Sequence, residues 1–168
     1  MQRTSITVWS VALCLLAVSG SLSAHHSTGV FDITNPIRVK GTVVRFHWGN
    51  PHSAIIVEAV GANGEMIYWA LENSSRLDVM ESRGFTKDSF KPGDHIEACG
   101  YAPKPQNAPH LPVSSSDSAS NAPHWLEGAE HVITARLLVT KDGPNTEWSH
   151  YGPLELCMSK QELEAHSR

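Results

Sequence analysis

Two groups of histidines have the types and spacing for metal chemistry. His25 and His26 stand side by side, and His47 and His52 flank a corner in the run Arg45-Phe46-His47-Trp48-Gly49-Asn50-Pro51-His52-Ser53. Neutral imidazole is a common metal ligand, and nitrogen-rich, tetragonal donor sets suit Cu(II), which tops the divalent affinity order. If His25 is the first residue of the mature chain, its α-amine and its own imidazole can chelate one ion, with His26 as a further donor. A third nitrogen from the folded part would complete a site of the histidine-brace type. His52 is the first candidate for it: Pro51 fixes its own φ and biases Asn50 toward extended geometry, so His52 leaves the corner in a restricted direction. His47 is the second. The expected cofactor is a copper ion or another transition metal, the expected role is metal handling, and any catalysis would be copper-dependent redox chemistry.

The plainer alternatives are a frayed terminus at His25-His26 and a structural turn histidine at His52. The chain is then a metal-free binding module, holding a small molecule, peptide or partner protein against a face with His47, Trp48, Tyr68 and Trp69. The remaining histidines carry less. His110, His124, His150 and His166 fall in loops or tail and read as solvated groups, while His95 and His131 begin strands. Glu58, Glu72 and Glu97 are single carboxylates on strands and read as surface groups. Hydrolytic chemistry has no pattern here: Gly-x-Ser-x-Gly and His-Glu-x-x-His are both absent, and the serines between positions 114 and 120 sit in a low-complexity stretch.

The meaning of His25 depends on what precedes it. Residues 1–24 have one cation, Arg3, then the apolar run Val8 to Val18, then small residues ending at Ala24. That is the layout of a secretory signal peptide, with too short an apolar core to span a bilayer. Cleavage after Ala24 leaves 144 of the 168 residues and takes the formal charge from −4 to −5. An acidic chain without a basic block does not suit nucleic acid. No later run is apolar enough to cross a membrane, so the expected location is the periplasm. Export also makes a disulfide between Cys99 and Cys157 permissible; the sequence leaves open whether the two thiols meet.

The elements that must position these groups are mainly strands. Residues 25–36 read as an N-terminal arm of about 40 Å when extended. Residues 37–48 read as the first strand, with a bulge or bend at Gly41, and Val44, Phe46 and Trp48 facing away from Val39 and Val43. Strands at 53–60 and 65–71 follow, the latter with Ile67, Trp69 and Leu71 inward. A short helix comes next, with N-caps on offer at Asn73, Ser74 and Ser75, a Ser75/Asp78 capping box and Gly84 as its C′ residue. Lys91-Pro92-Gly93-Asp94 turns into a fourth strand, 95–101. Residues 102–128, rich in Pro, Ser, Ala and Asn, read as a flexible surface insertion. A fifth strand spans 131–140, with Ile133, Ala135, Leu137 and Val139 pointing one way, and 144–168 reads as a polar tail. Strand, strand, strand, helix, strand, strand is the order of a small five-stranded OB-like antiparallel barrel, here covering residues 37–143.

Ala24-His25-His26-Ser27, Asn50-Pro51-His52, Tyr68-Trp69-Ala70-Leu71-Glu72, Arg83-Gly84-Phe85-Thr86, Lys91-Pro92-Gly93-Asp94, Gly100-Tyr101 and Ala135-Arg136-Leu137 occur in that order. As a set they resemble a family of small exported bacterial proteins catalogued as a domain of unknown function, over most of residues 24–143. The resemblance implies a periplasmic β-barrel-like domain and no established activity. The insertion 102–128 and the tail after Gly143 depart from the pattern, so roles for His110, His124 or Cys157 would be peculiar to this chain.

Overall fold

A computed structural model describes residues 28–105, 124–140, 146–159 and 161. Six strands form one sheet: β1 (Phe31–His47), β2 (Ser53–Val60), β3 (Met66–Asn73), β4 (His95–Pro103), β5 (His131–Thr140) and β6 (Thr146–Glu147). One short helix, α1 (Leu77–Ser82), lies between β3 and β4. The order across the sheet is β3-β2-β1-β4-β5-β6, all antiparallel, and β3 also pairs with β5 in parallel. The fold is therefore mainly β, as the alternation of apolar and polar residues predicts.

Three boundaries differ from expectation. Residues 31–36 are not free arm but the start of β1, paired with β4 through Phe31↔Pro103 and Pro36↔Tyr101. The insertion is anchored at its far end, where a 3-10 turn, His124–Leu126, buries Leu126 against Ile56, Ala70 and Val132; residues 106–123 lie outside the described part. The tail is not merely polar: Trp148 is fully buried, and Cys157 is bonded to Cys99. Trp148 packs among Phe46, Phe85 and Phe90, with ring centroids 5.1 to 6.1 Å away.

Two bulges explain where the facing of side chains departs from strict alternation. On β1 the register with β2 slips between Val43 and Arg45, so Val43 and Phe46 share the core while Val44 is left exposed. The extra residue sits at Val44, three positions past Gly41. Gly41 has a different role, because a Cβ there would run into the backbone carbonyl of Glu58. On β5 the slip opposite Cys99 and Gly100 takes up Arg136. Ile133, Ala135 and Leu138 therefore enter one core cluster, and Leu137 packs with Cys99, Cys157 and Met158. One inserted residue turns every later side chain to the other face.

The helix also starts differently from its expected capping box. Arg76 is the N-cap and makes no side-chain cap bond. The Leu77 N–H instead donates to Asn50 Oδ1 at 3.2 Å, so the Asn-Pro corner between β1 and β2 caps a helix 27 residues away. Asn73 Oδ1 accepts from the Ser75 N–H at 2.7 Å, just before the helix. Gly84 is the expected C′ residue, with φ +87° and its N–H on the Glu81 carbonyl.

Candidate functional site

The corner places His52 at the start of β2, and the strand register places Glu72 opposite. Ala54 pairs with Glu72, so the last residues of β3 lie beside the first residues of β2. His52 Nδ1 sits 3.0 Å from Glu72 Oε1, with 14% and 11% of the two side chains exposed. The same carboxylate oxygen accepts the indole N–H of Trp125 at 3.1 Å. Trp125 then stacks on the His52 ring, 5.0 Å between centroids and 3° from parallel. Imidazole, carboxylate and indole thus hold each other in one orientation. The carboxylate lies close enough to draw the imidazole proton toward Nδ1 and so leave the lone pair on Nε2, although the approach is not aligned as a hydrogen bond.

His47 lies beside this group on the outer face of β1. Its ring meets His124 edge-on at 4.8 Å, and His124 in turn meets Trp125 at 5.2 Å. Arg45, two residues back on the same face, donates to the carbonyl of Glu127 at 2.6 Å. The segment 124–127 is thereby held across β1, β2 and β3. Burial, then the charges of His124 and Arg45, hold the His47 imidazole below its ordinary pKa of 6.5. Its Nε2 is shielded from solvent and has no hydrogen-bond partner, packed against Gly49, where a Cβ would approach it to 2.5 Å.

The expected ligand face does not hold together. Tyr68 and Trp69 are consecutive on a strand and must point to opposite sides. Trp48 and Trp69 pack against the main core with Phe46, and Trp69 meets His131 at 4.7 Å. Tyr68 packs on the other side, with Ile56, Leu126 and Trp125. Only His47 and Tyr68 share the face that carries Trp125. His25 and His26 lie outside the described residues, as do His110 and His166. Among the described residues no three His, Cys, Asp or Glu side chains are grouped closely enough to hold a metal ion. A metal at His52 needs donors from elsewhere in the chain.

Glu72, His124 and Trp125 belong to the site and were not expected there. Glu72 reads as a lone strand carboxylate because its partner is 20 positions away and meets it only through the β2–β3 register. Trp125-Leu126 carries a faint signal, an aromatic–apolar pair closing an otherwise polar run, the usual mark of an anchor. Of the other histidines, His95 Nδ1 lies 3.2 Å from Thr42 Oγ1 and His150 Nδ1 3.7 Å from Glu147.

Residues 12–111 match the sequence pattern of a family of unknown function, DUF6152. No curated protein and no solved structure matches the chain.

Proposed function

For a chain that belongs to the DUF6152 family of unknown function, we propose an exported, periplasmic protein that binds copper or another transition metal through His52 together with His25 and His26. The observation that carries this reading is the Glu72 carboxylate 3.0 Å from His52 Nδ1. Metal-bound histidines characteristically turn their second ring nitrogen to a carboxylate, which fixes the tautomer and makes the ligating nitrogen more basic. Here the carboxylate is itself fixed by Trp125, and the ring is stacked, so Nε2 has a set direction. The α-amine and imidazole of His25, with His26, would complete a nitrogen-rich set of the kind Cu(II) prefers. A bound copper ion would supply redox chemistry or simple carriage; the chain's own part is to orient His52 and restrict water beside it.

The same proposal includes a closed OB-type barrel as the scaffold. Register partners can be followed across the sheet at one level: Pro36, Tyr101, Thr134, Glu72, Ala54, His47. The row leaves β1 at Pro36 and returns to β1 at His47, the stagger that a tilted, closed sheet requires. Closure bears on reach. The chain is already in a 3-10 turn at Thr28–Val30, where the Val30 carbonyl accepts from the Lys104 N–H at 2.9 Å, and in β1 from Phe31. The run that would carry His25 and His26 toward His52 therefore has far less slack than a free arm reaching residue 36.

The test is a Cu(II) titration of the natively processed protein followed by EPR, beside a form with one extra N-terminal residue and a His52→Ala variant. Tight binding lost in both altered forms is the expected outcome. Identical spectra and affinity in all three would sink the ligand set. A thermal midpoint that chelator and metal leave untouched would favour the metal-free binding module instead.

A further inference from the structure

The outer face of β1, β4 and β5 is covered at one end and open at the other. Val39, Val43, Ile96, Ala98 and Leu138 belong to the main core, so Lys40, Thr42, Glu97, Cys99 and Val139 lie on the other side of the sheet. At one end Cys157 and Met158 pack on Cys99 and Leu137, with Val139 and Leu154 against them. Ser159 and Gln161, which follow, are exposed. The rest of the face opens into a groove of about 610 Å³, lined by Lys40, Thr42, His95, Glu97, Val139 and Thr140. That is the size of a ligand cleft. Val139 belongs to both halves, so the groove begins where the described tail stops.

Two cross-strand pairs form its polar wall. Lys40 stands opposite Glu97 and Thr42 opposite His95. The Lys40 ammonium lies 2.8 Å from the Glu97 carboxylate, and Thr42 Oγ1 lies 3.2 Å from His95 Nδ1. Arg38 Nη1 approaches the same carboxylate at 3.8 Å. Two cations thus share one acid, and the Lys40 side chain is still 79% exposed, with room for a further acceptor. Val139 supplies an apolar floor. The groove suits a segment that brings one aliphatic side chain flanked by carboxylates.

We propose that residues 162–168 of the same chain fill this groove, with Leu163 seated on Val139 and its neighbours Glu162 and Glu164 at the Lys40 side. These residues lie outside the described part, and the chain heads toward them from Met158, beside Val139. Reach is sufficient. Leu163 is five residues past Met158, a span of up to about 17 Å. The far end of the groove, His95, is four β4 positions from Cys99, roughly 13 Å. Composition selects the same segment: Glu162-Leu163-Glu164 is acid, aliphatic, acid, and Leu163 is the one large apolar residue between 159 and 168. The segment is then the resident ligand of the groove, and an outside molecule must displace it. The metal reading at His52 is not involved, because it uses other residues.

Methyl-labelled NMR of the natively processed protein is the test. Nuclear Overhauser contacts between the Leu163 and Val139 methyl groups are expected, and mixing labelled with unlabelled chains should leave them intramolecular. Lys40→Glu should speed amide hydrogen exchange at Leu163 roughly fivefold, the scale of one exposed ion pair. Glu162→Lys with Glu164→Lys, added to that variant, should restore the protection. The wild-type contact needs no variant, so a misfolded Lys40→Glu leaves the test standing. Absence of any Leu163–Val139 contact overturns the proposal. So does contact seen only between different chains, which would make a second copy the occupant, and so does unchanged exchange at Leu163 in a folded Lys40→Glu.

Discussion

Glu72 is the residue on which the site turns. It is only 8% exposed, and its carboxylate faces both His52 and Trp125. Glu72→Gln keeps the shape and removes the charge, so metal affinity at His52 should fall by about 10- to 100-fold, the usual cost of losing such an outer partner. The check is the same copper titration, with circular dichroism to show that the fold persists. His47 gives a separate, pH-dependent expectation. Its folded pKa lies below 6.5, because burial, then His124 and Arg45, disfavour the imidazolium. The unfolded chain therefore binds the proton more readily. The stability that this histidine contributes is present above about pH 6.5 and is lost as pH falls through that value toward the folded pKa. Metal-free protein should show a smaller unfolding free energy at pH 5 than at pH 7.5, and His47→Gln should flatten part of that slope. Asp32 also has a lowered pKa, but there it is the charged form that is favoured. Side-chain bonds from Asn35 and Thr34, with the Thr34 N–H, hold its exposed carboxyl down to about 2.

At the scale of elements, the corner between β1 and β2 has two roles. It directs His52, and through Asn50 Oδ1 it caps α1 at Leu77. Asn50→Ala should cost about 1 kcal/mol, the usual value of a helix N-terminal cap, and amide exchange at Leu77 to Met80 should speed up. The bulges are the other device at this scale. Gly100 lies at the slip between β4 and β5, where a Cβ would collide with the Thr134 carbonyl and the Ala135 backbone. Both obstacles are backbone, so a methyl group cannot be accommodated by a side-chain swing. Gly100→Ala should cost roughly 1–3 kcal/mol in urea unfolding, the range for forced overpacking.

For the molecule as a whole, the C-terminal segment is a structural member. The Cys99–Cys157 bridge spans 58 positions. By the chain-entropy estimate it stabilises the fold by roughly 4 kcal/mol. Cys99→Ser with Cys157→Ser should lower the urea midpoint accordingly. Trp148 gives the larger effect: it has no exposed surface and fills the space between Phe46, Phe85 and Phe90. A chain ended at Gly143 loses both Trp148 and the bridge, and should fail to give a cooperative unfolding transition. Among the described residues no helix is long and apolar enough to cross a membrane.

The succession of the first five strands along the chain, the helix between β3 and β4, and the bounds of β2 and β5 were legible in the sequence, because they follow from local periodicity and from turn chemistry at Asn63-Gly64 and Lys91-Pro92-Gly93-Asp94; β6 in the tail was not. The disulfide was permitted by composition, but only the fold decided it, by pairing β1 with β4 and bringing the tail across at Cys157. The bulges at Val44 and Arg136 left no mark in residue type, since an inserted residue is defined by its partner strand. The site divides in the same way. His52 and its restricted exit from the corner could be read from Asn50 and Pro51 alone. Glu72, Trp125 and His124 could not, because what brings them to His47 and His52 is contact across 20 to more than 70 positions, and pairings at that range depend on strand register. Local sequence determines which residues can bond and bend. Tertiary structure decided which of them meet.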